Sequence, residues 1–170
     1  MKDIYVYASG KIVAGAREYR CALGKNGITA AKKEGDGATP LGSFPMRRLL
    51  YRPDRLAKPK TVLETVAMKP THAWADDPDM PEYNSLVKLP YAGSHEQLWR
   101  EDEIYDLVVE LGYNDDPPVP GRGSAIFIHV ATPGYTPTAG CIALAKEDLL
   151  ALLGAVEENS VIHVEKDQPR

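Results

Sequence analysis

The sequence predicts a mainly β domain, on three observations. Fourteen glycines and 14 prolines among 170 residues demand many turns and short elements, which argues against a helical bundle. The strongest apolar runs are short, rich in Val, Ile, Tyr and Phe, and bounded by turn residues. Only one segment, residues 146–156, has a clear helical period. With 44% hydrophobic and 26% charged residues the composition is globular. One domain over residues 1–166 and a polar tail at 167–170 are expected, with no internal repeat or domain boundary.

Residues 4–8 and 11–14 flank Ser9-Gly10 and read as a hairpin. Residues 19–24 read as the next strand, closing in a turn at Gly24-Lys25-Asn26-Gly27, the start of a meander. Residues 32–45 are too dense in Gly and Pro for a regular element and are expected to form an ordered loop or a linker; Leu41 and Phe44 there call for burial. Residues 58–103 carry Trp74, Trp99 and the acidic run Asp76, Asp77, Asp79, Glu82 without a regular period, which leaves sheet edge, lid or insertion open. Residues 104–113 alternate, placing Tyr105, Leu107, Val109 and Leu111 on one face and Asp106 and Glu110 on the other, as in a half-buried strand. A helix is the competing reading, because Ile104, Leu107, Val108 and Leu111 also fit its period. Residues 124–131 suit a central strand, with Ile126 and Ile128 on one face and Phe127 and His129 on the other. In the helix at 146–156, Leu149, Leu152, Leu153 and Val156 share a face, Glu147 and Asp148 favour the first turn, and Gly154 marks its end. Residues 161–164 form the last strand.

Charge and motifs exclude several classes. Twenty Lys+Arg against 24 Asp+Glu give a net charge of −4, so no footprint for nucleic acid or an anionic membrane exists. Residues 124–145 lack charged side chains, but Pro133, Gly134, Pro137, Gly140, the threonines and His129 break any membrane span. A buried or active-site segment is expected there. The first thirty residues hold no uninterrupted apolar run of secretory-signal length. No phosphate-binding glycine loop occurs, and His72, His95 and His163 lack zinc spacing, so neither metal nor cofactor is expected. Two cysteines do not make a disulfide scaffold, and free thiols are the default.

Cys141 follows a Pro-rich loop and Gly140, and precedes the helix, a position suited to displaying a nucleophile. A thiol serves acyl transfer as thiolate, and His129 at the end of the central strand is the candidate to take its proton. Gly140 would let backbone approach a substrate, and the Cys141 amide would face an oxyanion. The competing reading is a small buried Cys and a structural His, which is also how Cys21 reads.

Ile128-His129, followed by Pro137-Thr138-Ala139-Gly140-Cys141-Ile142-Ala143-Leu144, resembles the catalytic signature of the L,D-transpeptidases, the YkuD-type family. Further resemblance to its small bacterial branch lies in Arg20 to Gly24, Glu34 to Phe44, Tyr83-Asn84, His95 to Arg100, Tyr105-Asp106, Gly112-Tyr113-Asn114 and Pro120 to Phe127, nearly the whole chain. Prototypical members have a His before the Gly-Cys pair and an Arg two residues after the Cys, where Ala139 and Ala143 stand here. The resemblance implies a β-sandwich or barrel-like domain with a few short helices, Cys141 as nucleophile and His129 as base and acid. It implies oxyanion support from Gly140 and Thr138, and no cofactor. It also implies an acyltransferase that cleaves the diamino acid to D-alanine bond of a peptidoglycan tetrapeptide stem and passes the acyl group to an amine, such as a second stem or a D-amino acid. A hydrolase of stems with the same Cys and His, and a non-catalytic wall-binding module, are the alternatives. Arg122, Tyr135, Trp74, Asp76 and Asp77 are the expected substrate contacts, the acidic pair being otherwise a solvated face. The expected compartment is the cell envelope or periplasm, with the cytoplasm as the alternative.

Overall fold

The computed structural model describes residues 2–170. Its fourteen strands and one helix run β1 (Asp3–Tyr7), β2 (Lys11–Ala14), β3 (Arg17–Arg20), β4 (Ile28–Thr29), β5 (Thr39–Pro40), β6 (Gly42–Tyr51), β7 (Glu64–Ala67), β8 (His72–Ala75), β9 (Ser85–Lys88), β10 (His95–Gln97), β11 (Leu107–Leu111), β12 (Phe127–Val130), β13 (Ile142–Leu144), α1 (Lys146–Ala155) and β14 (Val161–Glu165). The expected β class holds, but a single α-helix replaces the few short ones anticipated.

Nine strands make the main sheet in the order β13-β12-β11-β6-β14-β1-β2-β3, with β7 beside β6. Its two ends meet: beyond β3, Ala22 and Ala143 of β13 exchange amide-to-carbonyl hydrogen bonds of 2.8 and 3.0 Å. That bridge brings the sheet close to a closed barrel and covers part of its edge. The β1-β2 hairpin forms as expected, while the strand expected at 19–24 ends at Arg20 and continues as isolated bridges.

The region read as an irregular loop at 32–45 instead contains β5 and the start of the longest strand. β6 runs through Pro45 because that residue contributes its carbonyl, which accepts from Gly112 N at 2.8 Å, while Val161 stands opposite it in the β14 register. The extended reading of 104–113 holds only over β11, residues 107–111, with a turn at 104–106, and the strand buries both faces. Leu107, Val109 and Leu111 join one apolar cluster, whereas Val108 joins Tyr105 in the other. Asp106, expected outward, is buried beneath Arg55 (2.8 Å) and Lys146 (2.9 Å), whose charges make its burial tolerable. Helix α1 lays Leu149, Leu152 and Leu153 into the first cluster.

Residues 58–103 resolve into β7 and a small antiparallel sheet, β10-β8-β9. Trp74 of β8 packs edge-on against Phe127 of β12, with ring centroids 5.0 Å apart. This sheet therefore covers the face of β12 that carries Phe127 and His129, and the second apolar cluster, including Cys141, lies between them.

Candidate active site

Strands β12 and β13 run parallel, pairing Ile128 with Ile142 and His129 with Ala143. Side chains alternate along a strand, so Cys141, one step before Ile142, shares a face with Ala143 and therefore with Phe127 and His129. The residue spacing that separates Cys141 from His129 is thus a parallel connection, the loop 131–141, folding back beside its own strand. Thr138 N donates to Leu23 O (2.9 Å) and Lys25 N donates to Thr138 O (2.8 Å), pinning that loop to the segment after β3.

Cys141 lines a cavity of about 420 Å³ together with His129, Tyr105, Glu96, Glu34, Asp76 and Lys32. Cys141 is 8% exposed and His129 is 6% exposed, and both line that cavity. The Cys141 thiol donates to Ala125 O at 3.0 Å and accepts from Phe127 N at 3.4 Å. Ala125 occupies the left-handed region at φ 54°, a conformation costly for a residue with a Cβ. Buried Asn84 holds it there: Asn84 Oδ1 accepts from Ala125 N (3.0 Å) and Trp74 Nε1 (3.0 Å), while Nδ2 donates to Tyr113 O and Asn114 O. This kink also explains why the strand expected at 124–131 begins only at Phe127.

Two threonines and a glycine fix the turn before the thiol. Thr138 Oγ1 donates to Cys141 O (2.6 Å) and accepts from Gly140 N (3.1 Å). Buried Thr39 donates to Gly140 O (2.8 Å). Gly140 sits at φ 142°, and a Cβ there would lie 2.8 Å from Ala38 O, so no other residue fits. Because its amide is spent on Thr138, Gly140 contributes shape to the expected oxyanion pocket rather than a donor.

His129 Nδ1 lies 3.0 Å from Val130 O. A carbonyl only accepts, so Nδ1 carries the proton and Nε2 keeps its lone pair. Tyr105 stands edge-on to the imidazole at 5.3 Å, and its hydroxyl donates to Glu96. Burial lowers the His129 pKa. Burial, helped by the Glu96 charge, pushes the Cys141 thiol up to about 12, against the pull of the Phe127 amide. The resting pair is neutral thiol and neutral imidazole.

Of the expected substrate contacts, only Asp76 lines this cavity, with Oδ1 accepting from Ser94 Oγ (2.6 Å). Asp77 closes its own turn, accepting from Asp79 N and Ser94 N. Trp74, 2% exposed, supports Asn84 from behind because its ring is needed in the core. Arg122 lies in a separate surface groove with Lys33 and Tyr113. Tyr135 lies under Arg20, whose guanidinium carbon is 4.2 Å from the ring centroid, in another depression. Sequence reasoning missed Glu34, Glu96, Tyr105 and Asn84 as site residues. The alternation at 104–113 pointed Tyr105 to the wrong face, and the other three carry no local periodic signal.

The nearly closed barrel carries a cysteine and a histidine on one face of two parallel strands, both lining one cavity. The chain belongs to the YkuD family, described as L,D-transpeptidase catalytic domain, whose family model matches residues 2–164. The crystal structure of Mycobacterium tuberculosis L,D-transpeptidase 1 is similar at 14% identity and a TM-score of 0.45, over 95% of this chain and 57% of that one. The chain thus spans less than two thirds of that relative's length. No curated protein matches the sequence. Among the described residues, no helix is long and apolar enough to cross a membrane.

Proposed function

We propose that the protein is a peptidoglycan L,D-transpeptidase with Cys141 as nucleophile and His129 as general base and acid. The observation that carries this reading is the placement of both side chains on one cavity, with His129 held in the tautomer that leaves Nε2 free to accept. With the thiol pushed up and the imidazole pushed down, proton transfer accompanies attack instead of preceding it.

The Cys141 Sγ proton passes to His129 Nε2 as Sγ bonds to the carbonyl carbon of the third-position diamino residue. The Cys141 amide stabilises the oxyanion. Collapse breaks the carbon–nitrogen bond to the terminal D-alanine, whose nitrogen takes the proton from Nε2, and a thioester remains. An amine acceptor, surrendering its proton to Nε2, then attacks the thioester and restores the thiol. Ala139 and Ala143 line the same cavity with small apolar side chains, leaving room for an acceptor or for water. Hydrolysis of the same thioester is therefore the second reading.

Incubation with a tetrapeptide muropeptide, with and without a D-amino acid, separates the two by product mass. Exchange into the fourth position is the expected result. Tripeptide alone, in the presence of acceptor, makes the protein a hydrolase, and unconsumed muropeptide overturns both readings. Because that polymer lies outside the cytoplasmic membrane, the protein acts in the cell envelope. Recovery with the cytoplasmic fraction would move its substrate to recycled muropeptides.

A further inference from the structure

The wall of the Cys141 cavity carries three carboxylates, Glu34, Asp76 and Glu96, and one cation, Lys32. Lys32 is already committed, donating to Asp36 Oδ1 at 2.6 Å and to Lys33 O at 2.8 Å. Glu34 Oε1 accepts from Tyr83 (2.7 Å) and Ser124 (2.5 Å), and Asp76 Oδ1 from Ser94, all neutral hydroxyls. Glu96 has a hydrogen bond from the Tyr105 hydroxyl, and among the described residues no lysine, arginine or histidine forms an ion pair with it.

A half-buried carboxylate without a counter-ion is costly to keep ionised. Burial, and the charges of Asp76 and Glu34, accordingly raise the Glu96 pKa, partly offset by Tyr105 and by Arg100, which is bidentate to Asp102. The same carboxylate opposes ionisation of the Cys141 thiol. One missing positive charge at this wall would satisfy Glu96 and ease formation of the thiolate together. Tyr105 links the two halves: its ring orients His129 while its hydroxyl fixes Glu96.

We propose that Glu96 is the ammonium-binding residue of this cavity, taking a primary ammonium of the acyl donor, and that its occupation prepares the Cys141 thiol for attack. Resting on the reading of Cys141 as nucleophile, the proposal names the donor feature that the site reads: the free amine at the far end of the diamino residue. An acceptor amine is the other source of the same group, and it is excluded from the first half-reaction, which involves the donor alone. Tyr105 is a positioning residue that acts through Glu96 and His129.

Two measurements test this. The first is alkylation of Cys141 by iodoacetamide at neutral pH, mapped by peptide mass, in wild type and Glu96→Gln, with and without propylammonium. Expected are alkylation at least severalfold faster in E96Q, because the Glu96 charge opposes ionisation of the thiol, and acceleration by propylammonium in wild type only. The second is release of D-alanine from native and side-chain N-acetylated tetrapeptide, without acceptor, by unmodified protein. The acetylated donor is expected to react at least tenfold more slowly. Equal rates with both donors, or unchanged alkylation in E96Q, overturn the proposal. Should E96Q not fold, the donor comparison on wild type decides. If neither donor reacts while E96Q alkylation and the propylammonium effect behave as expected, the stem-peptide reading falls and the ammonium site stands.

Discussion

The surroundings of Cys21 and of Cys141 are alike by most measures. Both thiols are free and buried, 5% and 8% exposed, and both are pushed up to about 12. Each is tied to a glycine that tolerates no Cβ: Cys21 N donates to Gly10 O at 2.9 Å, and Gly140 immediately precedes Cys141. The difference lies in what raises the two thiols and what faces them. Cys21 is raised by burial alone, within the apolar cluster that holds Ile4, Ile12 and Leu152. Cys141 is raised by burial and by the Glu96 charge, and it faces a cavity shared with His129. Burial in a packed core is permanent, whereas a charge can be answered by a ligand. On the proposed reading, reactivity follows the neighbours, and solvent exposure alone does not separate the two thiols.

The sharpest way to break the comparison is to remove the proposed base. His129→Ala is expected to slow Cys141 acylation by about 10²–10⁴-fold while leaving the melting temperature within a few degrees. In wild type, the acid limb of kcat/KM should fall below the ordinary imidazole value of about 6.5, because burial keeps His129 neutral there. Next comes the pair of glycines. Gly10→Ala and Gly140→Ala each force a Cβ within 3 Å of a backbone oxygen at positive φ, and each should lower stability by about 1–3 kcal/mol in urea unfolding. Only Gly140→Ala should also lower acylation in the fraction that remains folded.

A smaller effect concerns pH. An unfolded thiol titrates near about 8.5, and both folded thiols hold their protons up to about 12. Between those values the unfolded state has released protons that the folded state retains, so stability falls as pH rises, by up to about 1.4 kcal/mol per pH unit for each thiol. Cys21→Ala should flatten the decline between pH 9 and 10 in urea titrations. The smallest effects belong to Asp77→Asn, Arg122→Gln and Tyr135→Phe, whose side chains lie outside the cavity; each should change kcat/KM by less than about twofold, and a loss near that of His129→Ala would redraw the site.

The barrel was legible wherever a strand pattern reflected one neighbour at a time. The hairpin at β1-β2, strand β12 with His129, and helix α1 follow from local period and turn chemistry. Strand β6 was hidden because Pro45 reads as a breaker, although a proline with its carbonyl in use fits such a position. The β8-β9-β10 sheet was hidden because its short strands, four, four and three residues long, are stabilised by packing on β12 rather than by their own alternation. In the candidate site, Cys141, His129, Gly140 and Thr138 were readable from one contiguous stretch. Glu96 and Glu34 reach the cavity, and Asn84 the backbone at Ala125, from distant segments; they fall in stretches that resemble the family, but no local period or motif chemistry singled them out.

The most direct test of the central claim is intact-protein and peptide mass spectrometry of wild type, Cys141→Ala and Cys21→Ala after incubation with tetrapeptide muropeptide. The account predicts a donor-derived acyl adduct, lacking D-alanine, on Cys141 in wild type and in Cys21→Ala, and no adduct in Cys141→Ala. An adduct that persists in Cys141→Ala, or that maps to Cys21, would contradict it.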